Sequence, residues 1–280
     1  MATAYSDVRP SPLTGRWYPA RAHELAAMVD SFLAAARPTA PQGRIIGLLA
    51  PHAGLVYSGP VAAHAFKLVE GMSPEVVAVV SPSHYPYPAP LLTTAHRAYA
   101  TPLGEIPVNR EALEALSERV ALLPVRNDPE HSLEIELPFL QRVLPQGFTL
   151  LPVMVMEQTP RLAEALGHAL AEVLSERDAL LVASSDLSHF YSQRVARQLD
   201  QAMLERVAAF DPTGVFTAEE QEKGFACGRG AIAAVMWAAR DLGADAAQIV
   251  NYATSGDTSG DYSRVVGYGA AVFFERAKPD

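Results

Sequence analysis

Eight histidines occur in this 280-residue chain. Three of them fall where an apolar, β-rich run gives way to a short polar segment. Ala50-Pro51-His52-Ala53-Gly54 follows the first such run and Ser81-Pro82-Ser83-His84-Tyr85-Pro86 the second. Ser184-Ser185-Asp186-Leu187-Ser188-His189-Phe190 follows the fourth, and Ser255-Gly256-Asp257 closes the fifth with a carboxylate instead. In open α/β sheets, ligands bind outside the carboxyl ends of the strands, so these are the segments expected to carry chemistry. His52 and His84 are separated by about one βαβ unit, and adjacent parallel strands would bring their ends into one cavity. Two neutral imidazoles facing one pocket offer nitrogen lone pairs to iron, copper or zinc. The competing reading is a pair of loop histidines bonded to backbone.

A third donor would complete such a site. Cys227 precedes Gly228-Arg229-Gly230, which reads as a helix start. A helix N-terminus and the nearby Arg229 both favour a thiolate, the form that binds metal. The alternative is a buried free cysteine acting as a small hydrophobe. Asp186 and His189 share one short segment, where the carboxylate would orient the imidazole or join a metal shell and the histidine would act as general acid–base. Equally, Ser184-Ser185-Asp186 would cap a following helix. His131 stands just after Asp128-Pro129, a sequence that reads as an N-cap with proline at the first helical position. There the dipole would keep its imidazole neutral, as a hydrogen-bond donor behind the site or simply as a surface residue. His23, His64, His96 and His168 are assigned no role.

Positioning these residues requires strands alternating with helices. β-Rich runs cover 44–50, 75–81, 148–156, 179–184, 248–255 and 265–275, several apolar at successive positions as in strands covered on both faces. Helical spacing covers 21–36, 60–70, 110–119, 129–143, 161–175, 193–208 and 228–242. The expected architecture is therefore α/β, a mixed but largely parallel central sheet flanked by helices, with an antiparallel final pair of strands. No repeat or linker breaks the chain, so one domain over 1–280 is expected.

Composition narrows the function. There are 31 acidic and 22 basic residues, a net charge of −9, which gives no global attraction to nucleic acid or anionic lipid. One cysteine permits no internal disulfide and suits a reducing compartment. Residues 1–19 lack a signal-peptide pattern, and no apolar run approaches the roughly 20 residues of a membrane span. A cytoplasmic protein is expected. The chain has no P-loop, no dinucleotide fingerprint, no G-x-S-x-G elbow and no second cysteine for a structural zinc cluster.

Taken in order, the motifs resemble the Memo family, including the bacterial AmmeMemoRadiSam system protein B. Val8-Arg9-Pro10, Gly15-Arg16-Trp17-Tyr18-Pro19, Ala50–Gly54 with Tyr57-Ser58-Gly59, and Ser81–His84 carry the first half of the resemblance. Glu130-His131-Ser132-Leu133-Glu134, Ser184–His189, Cys227-Gly228 and Tyr252–Asp257 carry the second. The resemblance implies a fold like that of class III extradiol dioxygenases, whose iron(II) is held by two histidines and a glutamate. It also implies that His52 and His84 are the histidine ligands, that Cys227 replaces the glutamate, and that His189 is the acid–base residue. Asp186 and His131 would be the remaining pocket residues. The bacterial family name implies a pathway shared with a radical-SAM protein and an AMMECR-type protein.

A thiolate in place of a carboxylate shifts preference towards copper(I), zinc or thiolate-bound iron. Three functions stay open on the sequence. One is an iron- or copper-dependent oxidoreductase, another a dioxygenase-like module that binds a peptide or small molecule without turnover, and the third a zinc-assisted hydrolase.

Overall fold

The computed structural model describes residues 7–126, 128–144 and 147–277; the first six residues of the 1–19 stretch lie outside them. The order begins β1 (Val8–Arg9), α1 (Ala22–Ala35), β2 (Gly43–Ala50), α2 (Leu55–Lys67) and β3 (Val76–Pro82). It continues with β4 (Leu91–Thr94), β5 (Ala98–Thr101), β6 (Gly104–Pro107), α3 (Arg110–Ser117) and β7 (Leu123–Val125). A 3₁₀ turn (Glu134–Glu136), α4 (Leu137–Val143), β8 (Thr149–Val155), α5 (Pro160–Leu174) and β9 (Ala179–Ser184) follow. The last part comprises β10 (His189–Tyr191), α6 (Gln193–Ala208), α7 (Pro212–Glu220), α8 (Arg229–Asp241), β11 (Ala246–Thr254), α9 (Ser255–Ser259) and β12 (Val265–Arg276).

Among the described residues, nine strands form one mixed sheet in the order β10-β12-β2-β9-β3-β8-β4-β7, with β11 also paired to β12. The centre, β2-β9-β3-β8, is parallel, and β12 joins it antiparallel to both β2 and β11. Every residue of β3 is buried, as the run of successive valines demands. Helix α8 packs across β2, β3 and β9 beside α5 and α7, while α1, α2 and α4 pack together, with α2 against β2, β11 and β12. No helix among the described residues is long and apolar enough to cross a membrane.

Three expectations about the site's supports are corrected. Strands β2 and β3 are not neighbours: β9 lies between them, its Ser184 opposite Ala50 and its Ala183 opposite Val80. The three carboxyl ends nevertheless stand side by side, so His52, the Ser184–Asp186 segment and His84 leave the same edge. The helix expected over 129–143 begins only at the 3₁₀ turn of Glu134–Glu136. Asp128 stands too far ahead to cap it; its carboxylate is held by the guanidinium of Arg9 and accepts the Glu130 N–H at 3.2 Å. Nor does a helix follow Ser184-Ser185-Asp186; those residues lead instead into β10.

A small second sheet fixes Arg9. Strand β1 pairs parallel to β5, placing Arg9 opposite Tyr99, and β5 pairs antiparallel to β6. The guanidinium lies over the Tyr99 ring, 4.9 Å from its centroid.

Candidate metal centre

His52, His84 and His131 each present a ring nitrogen such that the three candidate ligand atoms lie within 4.8 Å of one another. The rings of His84 and His131 stack with centroids 4.6 Å apart, and His52 meets both edge-on at 5.4 Å. His52 is fully buried at the end of β2; its backbone N–H donates to Asp186 Oδ1 at 2.7 Å, and its Nδ1 is 2.9 Å from Ser184 Oγ. His84 Nδ1 lies 3.0 Å and His131 Nδ1 3.2 Å from the same oxygen, Glu130 Oε1. Each Nδ1 therefore faces a protein oxygen, and each Nε2 is the nitrogen left for a ligand. Oxygen partners at one nitrogen are the usual means of fixing the tautomer and direction of a metal-binding imidazole.

Glu130 anchors this arrangement. Its Oε2 accepts the His84 backbone N–H at 2.5 Å, and its Oε1 accepts those of His131 and Ser132 at 2.8 and 2.9 Å. Burial works to raise this carboxyl, but hydrogen bonds and charge from His84, with the backbone donors, outweigh it and hold the group well below the usual carboxylate range. Burial, followed by repulsion from His131 and His84, pushes His52 well below the ordinary imidazole value. Burial takes His131 down to about 4. Desolvation, and not the helix dipole expected from the sequence, is what favours a neutral His131, since no helix begins there. Trp17 lies against its ring, tilted by 33° with centroids 4.3 Å apart.

Cys227 lies just ahead of α8, as expected, with Sγ 3.1 Å from His52 Nε2. Burial and then Asp186 push its thiol up, the reverse of the thiolate stabilisation expected from the helix start. Gln158 ties down the peptide: its Nε2 donates to Cys227 O at 2.7 Å, and its Oε1 accepts from Gly230 N at 2.9 Å. Gly228 N donates to Ser185 Oγ at 2.9 Å. This approach requires glycine, because a Cβ there would stand 2.6 Å from Ser184 O and 2.9 Å from Ser185 Cβ. Gly228→Ala is therefore expected to cost about 1–3 kcal/mol of stability and to displace Cys227. A urea midpoint indistinguishable from that of the parent would contradict this.

Asp186 is buried beneath His52, and burial raises its carboxyl to about 7 despite the backbone N–H groups of His52 and Ala53. His189, in β10, lies against Phe190 and Phe225, and burial lowers its imidazole. Repulsion from it contributes, as the smallest cause, to the lowering of His52 and His131. The structure thus brings five of the sequence-derived candidates into contact, His52, His84 and His131 as the nitrogen group with Cys227 against His52 and Asp186 bonded to its backbone, while His189 packs on Phe190 and Phe225. The sequence reading missed Glu130, Arg9, Trp17 and Gln158 as supports. Beside the centre, a cavity of about 320 Å³ is lined by Arg16, Trp17, Gly54, Val56 and Tyr57.

A family model described as "Memo-like protein" matches residues 9–272. A "MEMO1 family protein" of Nitrosopumilus maritimus is 33% identical over 273 residues, covering 95% of this chain and 99% of its own. One from Methanopyrus kandleri is 35% identical over 278 residues, covering 95% and 98%. A crystal structure of an uncharacterized protein from Escherichia coli K12 aligns over 82% of this chain and all of its own, with 14% identity and a TM-score of 0.47. On the strength of the sequence matches, the chain belongs to the Memo family.

Proposed function

We propose that the centre holds one transition-metal ion through His52, His84 and Cys227, and that it serves a non-haem oxidoreductase reaction with iron(II) or copper. What supports this is the direction of the imidazoles of His52, His84 and His131, whose Nδ1 atoms face protein oxygens while their candidate ligand atoms share one space, with Cys227 Sγ 3.1 Å from His52 Nε2. Neutral imidazoles and a soft sulfur donor suit iron, copper and zinc. Bound iron or copper would supply one-electron chemistry, whereas zinc would polarise a carbonyl or activate water. The chain's own contributions are distinct. His189 takes or gives a proton at its ring, Asp186 holds the His52 backbone, and Trp17 fixes the His131 face.

Metal titration of stripped protein under anaerobic conditions tests this reading. One zinc, iron(II) or copper(I) per chain is expected, with proton release detectable by calorimetry in buffers of different ionisation enthalpy, because a thiol must lose its proton to bind. Cys227→Ser should weaken binding more than tenfold and abolish that release, while His131→Ala should do less. The reverse ranking would make the site three histidines. Absence of stoichiometric binding by any of the three metals would overturn the proposal. An iron- or copper-loaded protein with no reversible one-electron wave would remove its oxidoreductase part.

A second reading, a module that binds a peptide or small molecule without turnover, is favoured by the cavity beside Trp17. Ligand affinity that survives metal removal unchanged would select it.

A further inference from the structure

Beneath the centre, Ser184 Oγ has three polar neighbours: His52 Nδ1 at 2.9 Å, Ser132 O at 2.6 Å and Glu136 Oε1 at 2.7 Å. All four residues are buried, Glu136 at 1% exposure and Ser184 at 0%. A hydroxyl carries one proton and two acceptor sites. The Ser132 carbonyl can only accept, so at 2.6 Å it requires that proton. The other two neighbours must then donate, His52 as its Nδ1–H tautomer and Glu136 as a carboxylic acid. Any other assignment leaves lone pairs facing each other at hydrogen-bond distance in a dry interior, where an unpaired polar group costs about 1–3 kcal/mol.

We propose that Glu136 is a positioning residue held as a neutral acid, which donates to Ser184 so that this hydroxyl has no proton for His52 and the lone pair of His52 Nε2 points into the centre.

Two further observations agree. Glu136 Oε2 is buried with no hydrogen-bond partner among the described residues, which an acid's carbonyl oxygen tolerates far better than a carboxylate does. Burial, and then the nearby Asp186 charge, raise the Glu136 carboxyl well above its ordinary value, although the Ser184 contact opposes this. The proposal rests on the metal-binding reading only for its consequence, since the protonation and tautomer belong to the metal-free protein.

The experiment therefore has two independent parts. In metal-free protein at neutral pH, difference infrared spectroscopy of wild type against Glu136→Gln should show the carbonyl stretch of one protonated carboxylic acid. Histidine ¹⁵N spectra should show His52 as the Nδ1–H tautomer. Zinc titration then reads the consequence. Ser184→Ala and Glu136→Leu should each lower affinity about tenfold, the lower end of the effect of losing a partner behind a ligand. Glu136→Gln, whose amide N–H replaces the acid proton, should bind zinc like the parent. An ionised Glu136, a His52 protonated at Nε2, or a Glu136→Gln variant as weak as Glu136→Leu would overturn the proposal. A wild type that bound no zinc while showing both spectroscopic signatures would instead sink the metal reading and leave the hydrogen-bond assignment standing.

Discussion

Replacing Arg9 with leucine is expected to cost about 3–5 kcal/mol of folding stability, the range for removing one partner of a buried ion pair. The Arg9 side chain is 1% exposed, and it donates to Asp128 Oδ2 at 2.9 Å and Oδ1 at 2.8 Å while also pairing with Glu134. Without the guanidinium, two carboxylates would remain in the interior with one positive charge removed. Glu134 would keep only the hydroxyl of Tyr18, at 2.6 Å, and that of Ser11. The change also reaches the centre, because Arg9 Nη2 donates to Glu130 O at 2.8 Å. Urea unfolding should show the full loss, and zinc affinity should fall with it. A loss under about 1 kcal/mol would mean that the ion pairs do not carry the weight their burial assigns them.

Glu130→Ala is expected to lower zinc affinity about a hundredfold, the upper end of the effect of losing a residue behind a metal ligand. One carboxylate faces Nδ1 of two imidazoles and also accepts three backbone N–H groups. Its loss frees both rings and unpairs the loop. Glu130→Gln should fall between, since it keeps one acceptor but turns an NH₂ group towards N–H donors. Titration gives a second check. The carboxyl is held below its reference value of 4.5, so its contribution to stability is complete above that pH and is lost as the pH falls towards the folded value. The stability gap between parent and Glu130→Ala should therefore narrow below about pH 4.5. A gap that widened on acidification would show that the carboxylate is not stabilised by its neighbours.

Much of the site was legible because parallel strands end where ligands bind. His52, His84, His189 and Asp186 all follow predicted strands, and Cys227 precedes a recognisable helix. The antiparallel pairing of β11 and β12 was legible as well, from two apolar runs joined by a short glycine-containing segment. What escaped is non-local. Nothing in the spacing relates Arg9 to Asp128 or Glu130 to His84, since those contacts exist only after the small sheet docks. The insertion of β9 between β2 and β3 likewise depends on strand order, which apolar runs do not encode. Strands β4 to β7 are three or four residues each, too short for alternation to register. Helix α7 announced itself through the Asp211 cap, which accepts from Gly214 N, and Pro212 at the first helical position, signals present in the sequence but not used.

The long reach of Arg9 also sets an order of events during synthesis. Its partners Asp128 and Glu134 lie 119 and 125 residues downstream. At about 5–20 residues per second, a ribosome takes roughly 6 to 25 seconds to cover that distance. Before that interval ends the nascent chain carries His84 without the Glu130 that aims it, and His52 must wait longer still, for Ser184, Asp186 and Cys227, so the centre closes only after most of the chain has been made.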